Sequence, residues 1–379
     1  MTQRFLSLDS LRGLAALTVM FGHYVNVLPA FYPPWQAGST PLVHALSYSP
    51  LHLFWDGHAA VILFFVLSGF VLSLPFWQGR ALPYGTFMIR RVARIWGPYI
   101  VVMALALALS ALIRPQGAPE LSAWFNLPWH DRSLKTIGEH ALLIGPLTND
   151  ATLNPVIWSL RHELRMSLVF PLLMLPLLWG GRWGGPALLV LLTGLSYYGF
   201  HDNTWDTLRY AYLFVLGALL ARFAPRLPLE WEALEKWQRV AVGVAALALY
   251  TLPWWWQGTV APSANRSMLN DWAIALGAGL MMAVALGSPW AKRILHTAPL
   301  VWLGRISYSL YLWHAVVLLL VVHLLRGVLP LWVLLPGAAA LSLLVAHTSE
   351  RVLERPLIAL GKRLGRQAPS PSAATSATD

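Results

Sequence analysis

The sequence contains no cysteine. That absence excludes disulfide staples, a thiolate nucleophile, an acyl-thioester carried on the protein and thiolate metal ligation. Charge is also scarce: Asp, Glu, Lys and Arg make up 11% of the 379 residues, against about 25% in a soluble domain. Acidic groups are the rarer sign, 16 against 27 Lys and Arg. No Walker loop, GxSxG elbow, HExxH or dinucleotide glycine pattern occurs in a convincing context, and the scattered histidines have no metal-ligand spacing. No metal is expected.

What fills the sequence is apolar: 57% of residues are hydrophobic. Ten apolar segments of about a membrane thickness can be read. They are 8–28, 57–77, 95–113, 156–178, 186–199, 205–222, 240–256, 272–286, 306–325 and 330–347, the fifth, sixth and eighth being short. In a ten-span arrangement nineteen Lys and Arg fall on the side of the termini, five on the other and three within spans. The positive-inside rule then makes both termini cytoplasmic. The expected architecture is an all-α integral membrane protein of about ten transmembrane helices. Residues 1–366 form one domain, and 367–379 is a tail of disordered composition. The first segment carries Arg12 and His23 and lacks a small-residue cleavage site, so a span is expected there and not a cleaved signal. The net charge of +11 reads as topology, or secondarily as affinity for anionic lipid or an anionic cytoplasmic substrate. Nucleic acid is not an expected partner.

Polar residues inside these segments are the candidate chemistry. Arg12 and His23 stand eleven residues apart in LDSLRGLAALTVMFGHYVNVL, about three helical turns and roughly 16 Å, on nearly one face. An ionisable group at bilayer depth costs roughly 2.5–3.5 kcal/mol, so the pair points to a polar path through the protein. A snorkelling arginine and a packed histidine give the same pattern. In FFVLSGFVLSLPF, Ser68 and Gly69 suit close helix packing or a polar substrate contact. In FMIRRVARIWGPY, Arg90 and Arg94 share a face with Arg91 beside them, either as topology anchors or as a phosphate clamp.

The stretch IWSLRHELRMSLVFPLL packs Trp158, Ser159, Arg161, His162, Glu163 and Arg165 together. Such charge must line an internal cavity or its mouth. Ion pairing accounts for Arg161 and Arg165; Glu163 suits a proton acceptor or a partner that orients a histidine. In LGRISYSLYLWHAVVLL, Ser307, Tyr311 and His314 follow i, i+4, i+7 spacing, with Tyr308 about 100° around the helix. That column suits either a hydrogen-bonded substrate channel or polar glue between helices.

Six motifs in order, LDSLRGLAALTVMFGH, FFVLSGFVLS, RRVARI, WSLRHE, GRISYSLYLWH and ERVLERP, resemble the acyltransferase 3 family of multi-pass membrane O-acyltransferases over most of the chain. Gly97 and Val316 stand where members commonly carry proline. The resemblance implies acyl-CoA, foremost acetyl-CoA, as a co-substrate taken from the cytoplasm, with no tightly bound cofactor. It implies transfer to a hydroxyl of a glycan or lipid-linked saccharide, in contact with membrane lipid, at a bacterial cytoplasmic (inner) membrane. It carries an Arg-x10-His pair onto Arg12 and His23 and a basic loop motif onto Arg91 and Arg94. His23 is the expected general base, with Glu163 or another polar group expected to hold its tautomer. Arg12, Arg91 and Arg94 are the expected acyl-CoA-binding set. Ser68, Trp158, Ser159, Ser307, Tyr308, Tyr311 and His314 are the expected substrate-channel residues. The alternative is a transporter or flippase, because intramembrane Arg, His and Glu also mark proton and substrate paths. That reading requires matching interrupted helices in the two halves, and the sequence shows none.

Overall fold

The computed structural model describes residues 5–32, 40–143, 152–201, 206–256 and 263–367. Long apolar runs in lipid must satisfy every backbone N–H and C=O internally, and helices do so within one segment. The described residues accordingly contain ten helices of sixteen residues or more: α1 (Leu6–Val25), α2 (Gly57–Trp77), α3 (Tyr84–Ile113), α4 (Ile157–Trp179), α5 (Gly181–His201), α6 (Leu208–Phe223), α7 (Lys236–Trp256), α8 (Ala264–Gly287), α9 (Ala298–Leu325) and α10 (Leu331–Ser349). Each coincides with one expected apolar segment. A shorter helix, α11 (Arg355–Gln367), follows α10 through a π-helical turn at Glu350–Glu354. The sixth segment was expected from Trp205, which lies outside the described residues, as does the tail from 368 onward.

The ten expected spans do not all meet the demands of a crossing helix. Five helices are long and apolar enough: Gly57–Trp77, Tyr84–Ile113, Asn265–Gly287, Ala298–Leu325 and Leu331–Arg366. A sixth is reached if α6 and the short helix Leu227–Ala233, bent by 73°, count as one. The shortfall has a physical reason. Helices such as α1 and α4 hold charge that faces the protein interior, and each buried ionisable group lowers the segment's hydropathy without touching lipid. The protein is an integral membrane protein on this pattern of apolar helices.

Two seams organise the interior. Helix α1 packs on α9, and α2 packs on α6. A Cβ at Gly13 would meet the backbone of Leu303 and Gly304, and one at Gly304 would meet that of Asp9. In the second seam a Cβ at Gly69 would meet the Phe214 backbone, and one at Gly217 that of Val66. Lipid offers no hydrophobic drive between helices, so such close approach supplies the van der Waals contact that holds them. The α1 and α9 helices run parallel and in register, since Gly13 and Gly304 meet near one end while His23 and His314 meet farther along.

Candidate functional site

His23 and His314 come from opposite ends of the sequence and are joined directly. Nδ1 of His23 lies 2.9 Å from Nε2 of His314, and the nearly parallel rings are 5.1 Å apart. The tautomers follow from the neighbours. His314 Nδ1 sits 2.9 Å from the carbonyl of Leu310, one turn back on α9. A carbonyl only accepts, so Nδ1 of His314 carries the hydrogen and, in the neutral ring, Nε2 is a lone pair. His23 must then donate its Nδ1–H to that lone pair, which leaves His23 Nε2 unprotonated. The other face of His23 stacks on Trp124 at 5.0 Å. His314 is fully buried and His23 half-buried. The pair therefore presents one fixed, basic nitrogen.

His23 lines a cavity of about 200 Å³. Its wall comes from the C-terminal end of α1, the loop and N-terminus of α2, the start of α4, the end of α7 and Tyr311 of α9. Trp158, expected in the channel, lines it too. Ser159 stands behind, its hydroxyl 2.5 Å from Tyr311 Oη, which in turn donates to the Val156 carbonyl at 2.9 Å. Asp56 caps α2 by accepting the Ala59 N–H at 2.9 Å, and its second oxygen accepts the Trp254 indole N–H at 2.6 Å. His52 stacks on Trp254 at 3.4 Å and donates Nδ1–H to the Ser47 carbonyl at 2.9 Å.

Burial pushes the His52 imidazole down to about 4 from its ordinary 6.5. The unfolded chain then binds the proton more readily than the folded one, so acid favours unfolding. The unfolding midpoint of the detergent-purified protein is expected to fall as pH drops from about 6.5 toward 4, with a shallower fall in His52→Gln. Equal slopes in the two proteins would refute this seat for His52.

Toward the other end of α1 lies a charged cluster. Arg12 pairs with Asp9 on its own helix, and its Nε is buried without a partner. Arg91 donates to Glu163 at 2.9 Å and to Ser167 at 3.1 Å, and Ser68 donates to the same Glu163 oxygen at 3.2 Å. Arg94 makes no ion pair or hydrogen bond among the described residues, although Arg12, Arg91, Tyr308 and Glu354 lie within its electrostatic reach. Glu354 accepts from Ser309 at 2.8 Å. Arg94 is thus the cation of the expected donor set that is left available to an anion.

The geometry divides the expected residues. Glu163 is held by Arg91 and Ser68, whereas His23 is held by His314, so the orienting group of the imidazole is a second imidazole. Arg161 and Arg165 both pair with Asp206, the latter at 3.1 Å, and His162 bonds Thr207 at 3.0 Å. The column on α9 splits: Tyr311 and His314 serve the cavity end, Tyr308 donates to the Ile95 carbonyl at 2.5 Å, and Ser307 returns its hydrogen bond to Gly304 of its own helix. Asp56, His52, Trp254 and Glu354 were missed. The first three come from segments some two hundred positions apart with no shared periodicity. Glu354 sits in the π turn, where 100° spacing misplaces a residue.

Comparison with known proteins gives the same direction. The sequence matches the family described as Acyltransferase domain over residues 5–348. It is 24% identical, over 93% of this chain and 55% of the relative, to the peptidoglycan O-acetyltransferase OatA of Listeria monocytogenes. It is 30% identical, over 49% of this chain and 85% of the relative, to Protein 2 in picA locus of Rhizobium radiobacter. The chain spans about half the length of the Listeria relative. No solved structure matches it.

Proposed function

Because the chain belongs to the acyltransferase 3 family, we propose that it is a membrane O-acyltransferase that moves an acyl group, foremost acetyl, from acyl-CoA to a hydroxyl of a glycan or lipid-linked saccharide. The observation that carries this reading is the 2.9 Å bond from His23 to His314, which leaves a lone pair on His23 Nε2 at the wall of a cavity. The acceptor hydroxyl gives its proton to that nitrogen as its oxygen attacks the thioester carbonyl. The C–O bond forms, the C–S bond breaks, and the imidazolium returns the proton to the departing thiolate. A positioned base of this kind supplies about 10²–10⁴-fold. Arg94, with Arg12 and Arg91 behind it, neutralises the phosphates of CoA, since arginine forks fit phosphate oxygens. No residue needs to carry the acyl group covalently.

Eleven residues of α1 separate the two functions, roughly 16 Å, so donor head and acceptor enter from opposite sides. The basic side is cytoplasmic in this reading, with both termini there and the membrane a bacterial cytoplasmic membrane. Reporter fusions at Asp379 and near Arg91 are expected to read cytoplasmic and a fusion near Asn126 external. A cytoplasmic reading near Asn126 would overturn the arrangement. The activity itself is tested with inverted membrane vesicles given radiolabelled acetyl-CoA: label is expected in the saccharide fraction, and its absence there would defeat the proposal.

A further inference from the structure

Trp55, Trp158, Trp254 and Tyr311 line the cavity that His23 also lines, with Asp56 and Asn26 in the same wall. From this we infer that the cavity is a seat for a single sugar ring of the acceptor, an assignment that rests on the O-acyltransferase reading. The argument starts from size. About 200 Å³ is below the roughly 300–1,000 Å³ of pockets that enclose drug-sized ligands. An acyl-CoA head does not fit, whereas one ring at the end of a chain does.

The wall chemistry selects the class. A pyranose has apolar C–H faces and a rim of hydroxyls. Aromatic faces complement the first, and fixed acceptors and donors complement the second. Asp56 uses one oxygen on Ala59 and the other on Trp254, and a carboxylate still has lone-pair sites beyond two. The Asn26 side-chain amide has no hydrogen bond among the described residues. His58 lines the same wall, and its Nε2 lies 2.6 Å from Asp271. Donation of Nε2–H to that carboxylate leaves Nδ1 as an acceptor for a hydroxyl. A fatty acyl chain or an anionic headgroup would leave these groups unsatisfied or face a carboxylate.

The walls are braced, as a binding seat must be. Trp254 is clamped between the Asp56 carboxylate and the His52 ring, and Tyr311 between Ser159 and the Val156 carbonyl. Trp55 and Trp158 are only partly buried, so they offer surface to an incoming ring. A ring bedded on them has its hydroxyl edge against His23, whose Nδ1 is committed to His314 and whose Nε2 keeps its lone pair.

The test uses Trp55→Ala and Trp158→Ala, with Trp158→Phe as the conservative control, each expressed in cells that make the native saccharides. O-acyl groups on released glycans are measured by mass spectrometry, and acetyl-CoA affinity is measured on the purified proteins. The alanine variants are expected to lose about tenfold in glycan acylation through loss of one aromatic wall, with donor affinity within about twofold and Trp158→Phe restored. Unchanged glycan acylation in both alanine variants would overturn the sugar seat alone. Absence of acylated glycan even with the wild-type chain would instead overturn the O-acyltransferase reading beneath it. Acylation lost equally in Trp158→Phe, or lost together with donor affinity, would reduce the tryptophans to structural supports and also overturn the assignment.

Discussion

His23→Gln is expected to insert and fold as the wild type does and to transfer no acyl group. Glutamine keeps similar length and can still donate one hydrogen bond to His314 Nε2, so the contact at 2.9 Å survives. It cannot take up a proton at neutral pH, and the loss is expected at about 10²–10⁴-fold. His314→Gln separates base from positioning. It removes the acceptor that sets the His23 tautomer, so transfer falls while acetyl-CoA affinity holds. The measurements are steady-state transfer, donor affinity and thermal unfolding on the same preparations. Near-wild-type transfer by well-folded His23→Gln would end its assignment as the base and turn attention to Glu163.

Arg94→Ala and Arg91→Ala are expected to fail in different ways, although sequence spacing treats the two as one motif. Arg94 has no protein partner among the described residues, so its removal leaves the fold intact. Charge-assisted phosphate bonds contribute about 1.5–3 kcal/mol, which predicts a loss of roughly 10- to 150-fold in acetyl-CoA affinity. Arg91 is bound to Glu163 and Ser167. Its removal leaves a partly buried carboxylate without its cation, so the unfolding temperature falls along with activity. Calorimetric titration of acetyl-CoA across a salt series, with unfolding scans alongside, separates them. Unchanged donor affinity in Arg94→Ala would return that residue to a topology anchor.

Helical periodicity made much of this legible in advance. Arg12 and His23 share a face because eleven residues make three turns, and α1 forms there as expected. Ser68 and Gly69 were open between packing and contact. The fold divides the two roles, with Gly69 against the Phe214 backbone and Ser68 on Glu163. What periodicity cannot supply is the partner across a gap. Nothing near His23 in sequence announces His314, which is 291 positions away. Glu163 was expected as a proton acceptor or as a partner that orients a histidine, and in the fold its carboxylate accepts from Arg91 and Ser68. Ser307 shows a converse limit of spacing: its i, i+4, i+7 column with Tyr311 and His314 is real on the helix. Yet a serine can reach the carbonyl three residues back, and Ser307 gives its hydroxyl hydrogen to Gly304 there, a contact that spacing does not announce.

The glycine seam between α1 and α9 gives the histidine pair a property that its own contacts do not explain. Gly13 lies ten residues before His23, and Gly304 ten residues before His314, roughly 15 Å along each helix. Two parallel rods pinned backbone to backbone at one point, with equal arms to the imidazoles, behave as calipers. No side chain at the pin can repack to absorb an error, so the jaw opening is set by backbone geometry rather than by rotamers. A methyl group added at either glycine is therefore felt at the base, far beyond the reach of its van der Waals contacts.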